Sequence, residues 1–128
     1  MATIKSYADL QQSKKLAEIL PIESADMAYI WHATSDNPAF RFDDDMPPMV
    51  LKDIPIEEIT ADTLPCWSLA ALLNLMICPK LEEYVKGVWD LTTFTDETLK
   101  TPIEIQDSKD PIDACYKMIL ELNELNLL

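Results

Sequence analysis

The residues in this chain whose types could do chemistry are one histidine, His32, three cysteines, Cys66, Cys78 and Cys115, and an acidic run, Asp43-Asp44-Asp45. Nucleophilic catalysis needs a base within reach of the nucleophile. His32 would have to serve Ser35, Ser68 or Cys66, and no spacing in the sequence joins it to any of them. A histidine at a strand end beside a turn is the plainer reading. Cys66 opens Cys66-Trp67-Ser68 at an expected helix start, where the dipole lowers a thiol pKa. Its neighbours are apolar, and burial acts the other way, so a structural thiol is expected. On one continuous helix Cys66 and Cys78 would stand roughly 18 Å apart along the axis, too far to share a metal.

Asp43, Asp44 and Asp45 offer oxygens to a hard cation, but a calcium loop of the EF-hand type needs a glycine at its sharp turn. The single glycine, Gly87, lies elsewhere. The acids read as a solvated run, and the Glu57-Glu58 and Glu82-Glu83 pairs as ordinary helix-surface pairs. Trp31, Trp67 and Trp89 read as core anchors. No catalytic residue, cofactor site or metal site is expected.

One glycine also removes the loops that cradle phosphates, which need backbone to approach the ligand at positive φ. The net charge of -13 repels nucleic-acid phosphates, so no nucleic-acid partner is expected. The charge is uneven. Residues 16–79 hold 11 acids (Glu18, Glu23, Asp26, Asp36, Asp43, Asp44, Asp45, Asp53, Glu57, Glu58, Asp62) against Arg41 and Lys52, giving -9. Asp43, Asp44, Asp45, Asp53, Glu57 and Glu58 are therefore the candidate interaction surface, steering a basic protein partner. A nucleic-acid mimic ranks lower, because consecutive aspartates are a poor match to phosphate spacing. No apolar run approaches the roughly 20 residues of a membrane span, and residues 1–6 lack a signal-peptide core. An odd cysteine count fits free thiols in a reducing, cytoplasmic setting.

The elements that must position these residues follow from periodicity and punctuation. A helix is expected over 6–20, capped by Ser6 with Asp9 as its capping-box partner and stopped by Pro21. Residues 25–33 read as a strand, and Phe40 with Phe42 as a second strand after the turn at 35–38. Pro47, Pro48 and Pro55 make 43–62 a long acidic loop. The apolar run 63–78, with Pro65 in its first turn, predicts a buried central helix. Residues 84–94 and 103–106 read as strands, and 107–109 as a turn. Asp110-Pro111-Ile112-Asp113 opens a last helix running to about Asn126. The class is α+β: one domain spanning 1–128, a small antiparallel sheet of hairpin strands and three helices with the middle one buried. Leu125, Leu127 and Leu128 exceed what one buried face needs. They are expected to dock on the sheet or to meet a second copy in a homodimer.

Three stretches carry a resemblance: residues 16–27, residues 65–73, and Asp110-Pro111-Ile112-Asp113-Ala114-Cys115 with 120–128. Together they resemble short acidic proteins encoded by phages, prophages and other mobile elements of gut bacteria. The resemblance implies such an origin and brings no activity with it. Two functions follow: an acidic protein-binding or accessory module, or a small enzyme using Cys66 or His32 with acidic partners.

Overall fold

The computed structural model describes residues 6–30, 48–50 and 63–128. Among the described residues it is α+β, with three α-helices and two three-stranded antiparallel sheets, so the expected class holds, with two sheets in place of the one expected. The chain forms two compact units: Asp9–Ser68, and Leu69–Leu128 together with Met1–Ala8.

In the unit Asp9–Ser68, helix α1 is Leu10–Ile19. Its cap is Asp9, not Ser6. Asp9 Oδ1 accepts from the Gln12 N–H at 2.8 Å, and Gln12 Oε1 accepts from the Asp9 N–H at 3.1 Å. A capping box needs a third-position side chain long enough to reach back. Gln12 has that length, whereas Asp9, in the frame beginning at Ser6, does not. Leu10, Gln12, Ser13 and Leu16 are buried. The helix ends at Leu20, and Pro21 begins a single 3-10 turn, Ile22–Ser24.

Strand β1, Met27–Ile30, is the centre of its sheet, with β2, Met49–Val50, on one side and β3, Thr63–Cys66, on the other. Met27 is opposite Val50, and the β1–β3 register runs from Met27↔Cys66 to Ile30↔Thr63. Two expectations are corrected. Met49 and Val50, placed in an acidic loop, form a ladder. Thr63–Cys66, placed in a helix, is a strand. Pro65 fits there because β3 is an edge among the described residues, where a missing N–H can be tolerated. The Phe40–Phe42 strand and most of 43–62 lie outside the described residues.

In the second unit, α2 is only Leu69–Leu73, with Leu72 its one fully buried side chain. The Leu69 N–H donates to the Ser6 carbonyl at 3.0 Å. The expected helix over 63–78 therefore survives as five residues. After it the chain turns through bonds from Leu75 N–H to Leu72 O and Met76 N–H to Leu73 O, and Cys78 takes φ 45°. The buried Thr93 hydroxyl fixes this turn. It accepts from the Ile77 N–H at 3.0 Å and donates to the Ile77 carbonyl at 2.7 Å.

Strands β4 (Lys80–Val85), β5 (Val88–Phe94) and β6 (Pro102–Ser108) form a meander in that order. Gly87, at φ 81°, closes the β4–β5 turn inside what reads from sequence as one strand over 84–94. Residues 107 and 108 belong to β6, not to a turn. Helix α3, Pro111–Glu124, packs against β5, β6 and α2. Asp110 caps it through Asp113 N–H, with Pro111 in the first turn as expected. Ile112, Ala114, Cys115, Met118, Ile119 and Leu122 form its buried stripe. It closes with Asn126 at φ 58°, a Leu127 N–H bond to Leu122 O and an Asn126 N–H bond to Asn123 O. This is a Schellman closure, and it gives Leu127 a place in ending the helix.

Candidate functional site

Asp43, Asp44, Asp45, Asp53, Glu57, Glu58 and His32 lie outside the described residues. The chemistry-bearing side chains that are described gather in two places, one in each unit.

The first is a buried polar cluster at the end of β3. Trp67 has no exposed surface and donates from its indole Nε1 to Ser24 Oγ at 2.9 Å. Ser24 in turn donates to the Pro21 carbonyl at 2.6 Å, so the 3-10 turn exists partly to hold the indole N–H. The adjoining Ser68 is held by Asp26. One carboxylate oxygen accepts from the Ser68 N–H at 2.9 Å and the other from its hydroxyl at 2.5 Å. These are charge-assisted bonds, which fix the chain where strand gives way to helix.

Cys66, also without exposed surface, is the third member. Burial pushes its thiol up to about 11, and the Asp26 charge adds to this. Hydrogen bonds with Ser13 and Tyr29 and with the Trp67 backbone oppose the rise without cancelling it. A thiol in this state is protonated at neutral pH and reacts slowly. Cys115 is similar: burial, then the charge of Asp110, push it to about 12. Cys78, by contrast, is exposed. It sits in a left-handed backbone conformation next to Pro79. Among the described residues no group of three or more His, Cys, Asp or Glu side chains is arranged to hold a metal ion.

The second place is the β4–β5–β6 sheet. Leu91 and Thr93 are fully buried on one face. Strand alternation puts Lys80, Glu82, Asp90, Thr92 and Glu104 on the other. Glu82 stands directly opposite Asp90, and Thr92 opposite Glu104. Lys80 Nζ lies 3.1 Å from Glu82 Oε1, an exposed pair worth little. Asp90 also accepts from the Asp107 N–H at 3.1 Å. Sequence reasoning passed over this face, treating Glu82 and Glu83 as helix surface. The alternation of Ile103 and Ile105 with Glu104 was the available signal.

No known protein family, curated protein or solved structure matches the chain. The site is therefore read from its own geometry. Leu125, Leu127 and Leu128 are exposed at the end of α3. No helix among the described residues is long and apolar enough to cross a membrane.

Proposed function

We propose that this chain is a small acidic protein-binding module of phage or mobile-element origin whose partner presents a basic surface. The observation that carries the reading is the charge, 23 acids against 10 bases. Such an excess steers a basic partner and discourages acidic ones. The state of Cys66 also supports a binding role over an enzyme built on that thiol, since a buried thiol titrating near 11 is a poor nucleophile at neutral pH.

The test is affinity capture on the tagged chain from the native host, washed with rising NaCl and read by mass spectrometry. The expected catch is a protein with a basic surface that elutes by a few hundred mM salt, as Debye screening shortens the attraction to about 8 Å and below. Capture insensitive to salt would turn the reading towards the apolar end of α3, where Leu125, Leu127 and Leu128 would meet a partner or a second copy.

A further inference from the structure

We infer that the outer edge of β4 is a docking site for a basic, extended segment of a partner protein, which adds to the sheet as a fourth strand. The inference rests on the basic-partner reading above and says where that partner docks.

Among the described residues β4 pairs with β5 alone. In an antiparallel sheet, alternate residues of an edge strand direct their N–H and C=O groups away from the neighbour, and these groups template another strand. The opposite edge, β6, is blunted. It begins with Pro102, has a register shift opposite Trp89 and Leu91, and carries Asp107 at φ 60°. β4 has no proline, and its irregularity is confined to its last residues, between Glu83 and Val85. All its side chains but Leu81 are exposed, and Tyr84 and Val85 present apolar surface at 76% and 54% exposure.

The charges choose the occupant. A second copy of β4 in antiparallel register about its centre would set Glu82 against Glu83 twice, and like charges directly opposite are unfavourable. A basic strand meets the reverse situation. Glu82 already faces Asp90 across the ladder, and Lys80, the cation beside it, is exposed. A Lys or Arg placed opposite Glu82 on an added strand would relieve that repulsion. Main-chain bonds would supply affinity, Tyr84 and Val85 apolar contact, and the acidic face would choose the sign of the partner.

The probe is a terminally blocked peptide alternating Lys and Val, with a Glu-Val counterpart, titrated into the full chain at low salt and followed by amide NMR and hydrogen exchange. The Lys peptide is expected to bind and to slow exchange of amides within Lys80–Val85, while β6 amides are unchanged. The Glu peptide is expected not to bind. Glu82→Lys is expected to weaken the Lys peptide about tenfold through like-charge repulsion. Glu104→Lys, two strands away, should have a smaller effect. Binding of the Lys peptide with protection elsewhere would overturn the edge inference and leave a basic partner standing. No binding of the Lys peptide would overturn the inference, and host capture then decides the broader reading independently. Protection of β4 on concentrating the chain alone would assign the edge to a second copy and also overturn it.

Discussion

Residues 63–78 and 110–126 are both rich in Leu and other apolar side chains, both have a proline within their first three residues, and both contain a fully buried thiol. The second is a single helix of 14 residues; the first divides into a strand, a five-residue helix and a turn. The difference lies at the ends. The second run finds its partners locally: Asp110 caps its start, and Asn126 and Leu127 close its end. The first run's partners are distant in sequence. Thr63–Cys66 pairs with β1, Asp26 binds Ser68, and Thr93 clamps Ile77. An apolar run becomes a long helix when nothing remote competes for its backbone. Here three remote groups compete.

The largest expected effect tests how each run is anchored. Trp67→Ala should cost about 3–5 kcal/mol of unfolding free energy in urea melts, the usual range for a core aromatic. Ile119→Val, in a helix whose burial is shared among many side chains, should cost about 0.5–1.5 kcal/mol by the same reasoning. Equal costs would break the contrast.

Thr93→Val should come next. It leaves the Ile77 N–H and C=O without their partner, and each unsatisfied buried group costs about 1–3 kcal/mol. Hydrogen exchange should then quicken around 74–79 before it does in α3. If both quicken together, the turn is not held by Thr93.

The buried thiols give each run a pH signature. An unfolded cysteine loses its proton near pH 9, whereas folded Cys66 keeps it to about 11 and Cys115 to about 12. Above pH 9 the unfolded chain therefore binds fewer protons, and stability falls as pH rises. Below pH 9 the contribution of both thiols is complete. The expected slope is on the order of 1 kcal/mol per pH unit for each thiol between its unfolded and folded values. Cys66→Ala should shed one part of that slope and Cys115→Ala the other, in melts from pH 8 upward. A slope unchanged in both variants would mean other groups carry it.

The smallest effect is Asp110→Ala, about 1 kcal/mol for a lost N-cap. It should leave the β1–β3 ladder unaltered in exchange measurements, since that ladder owes nothing to local capping.

The same distinction decides what could be read in advance. Asp110-Pro111 and the apolar spacing after it are local signals, and the helix they announce is the one found. Gly87 is equally local, yet the hairpin it closes reads as one strand, because Val85, Trp89, Leu91 and the Thr92-Thr93 pair favour extended chain on either side of it. The choice of β3 over helix was not legible. Pro65 is compatible with a first helical turn and with an edge strand, and only the partner strand decides between them. Of the polar cluster, burial of Cys66 and Trp67 was legible from their apolar surroundings. The roles of Ser24, Asp26 and Ser68 were not, because their hydrogen bonds join positions more than 40 residues apart. The expected acidic surface of Asp43, Asp44, Asp45, Asp53, Glu57 and Glu58 lies outside the described residues, and strand register brings Glu82, Asp90 and Glu104 onto one face.

The β1–β3 ladder has a kinetic consequence. Pairing Met27 with Cys66 closes a loop of 39 residues (66 minus 27), whereas Val85 meets Val88 across a two-residue turn. Loop-closure entropy grows with the logarithm of length, a difference of about 2 kcal/mol between the two. The β4–β5 hairpin should therefore form in microseconds, while β1 and β3 wait on a slower encounter. Until it occurs, Trp67 and Cys66 are exposed apolar chain, and a nascent protein is most open to mispairing at Thr63–Cys66.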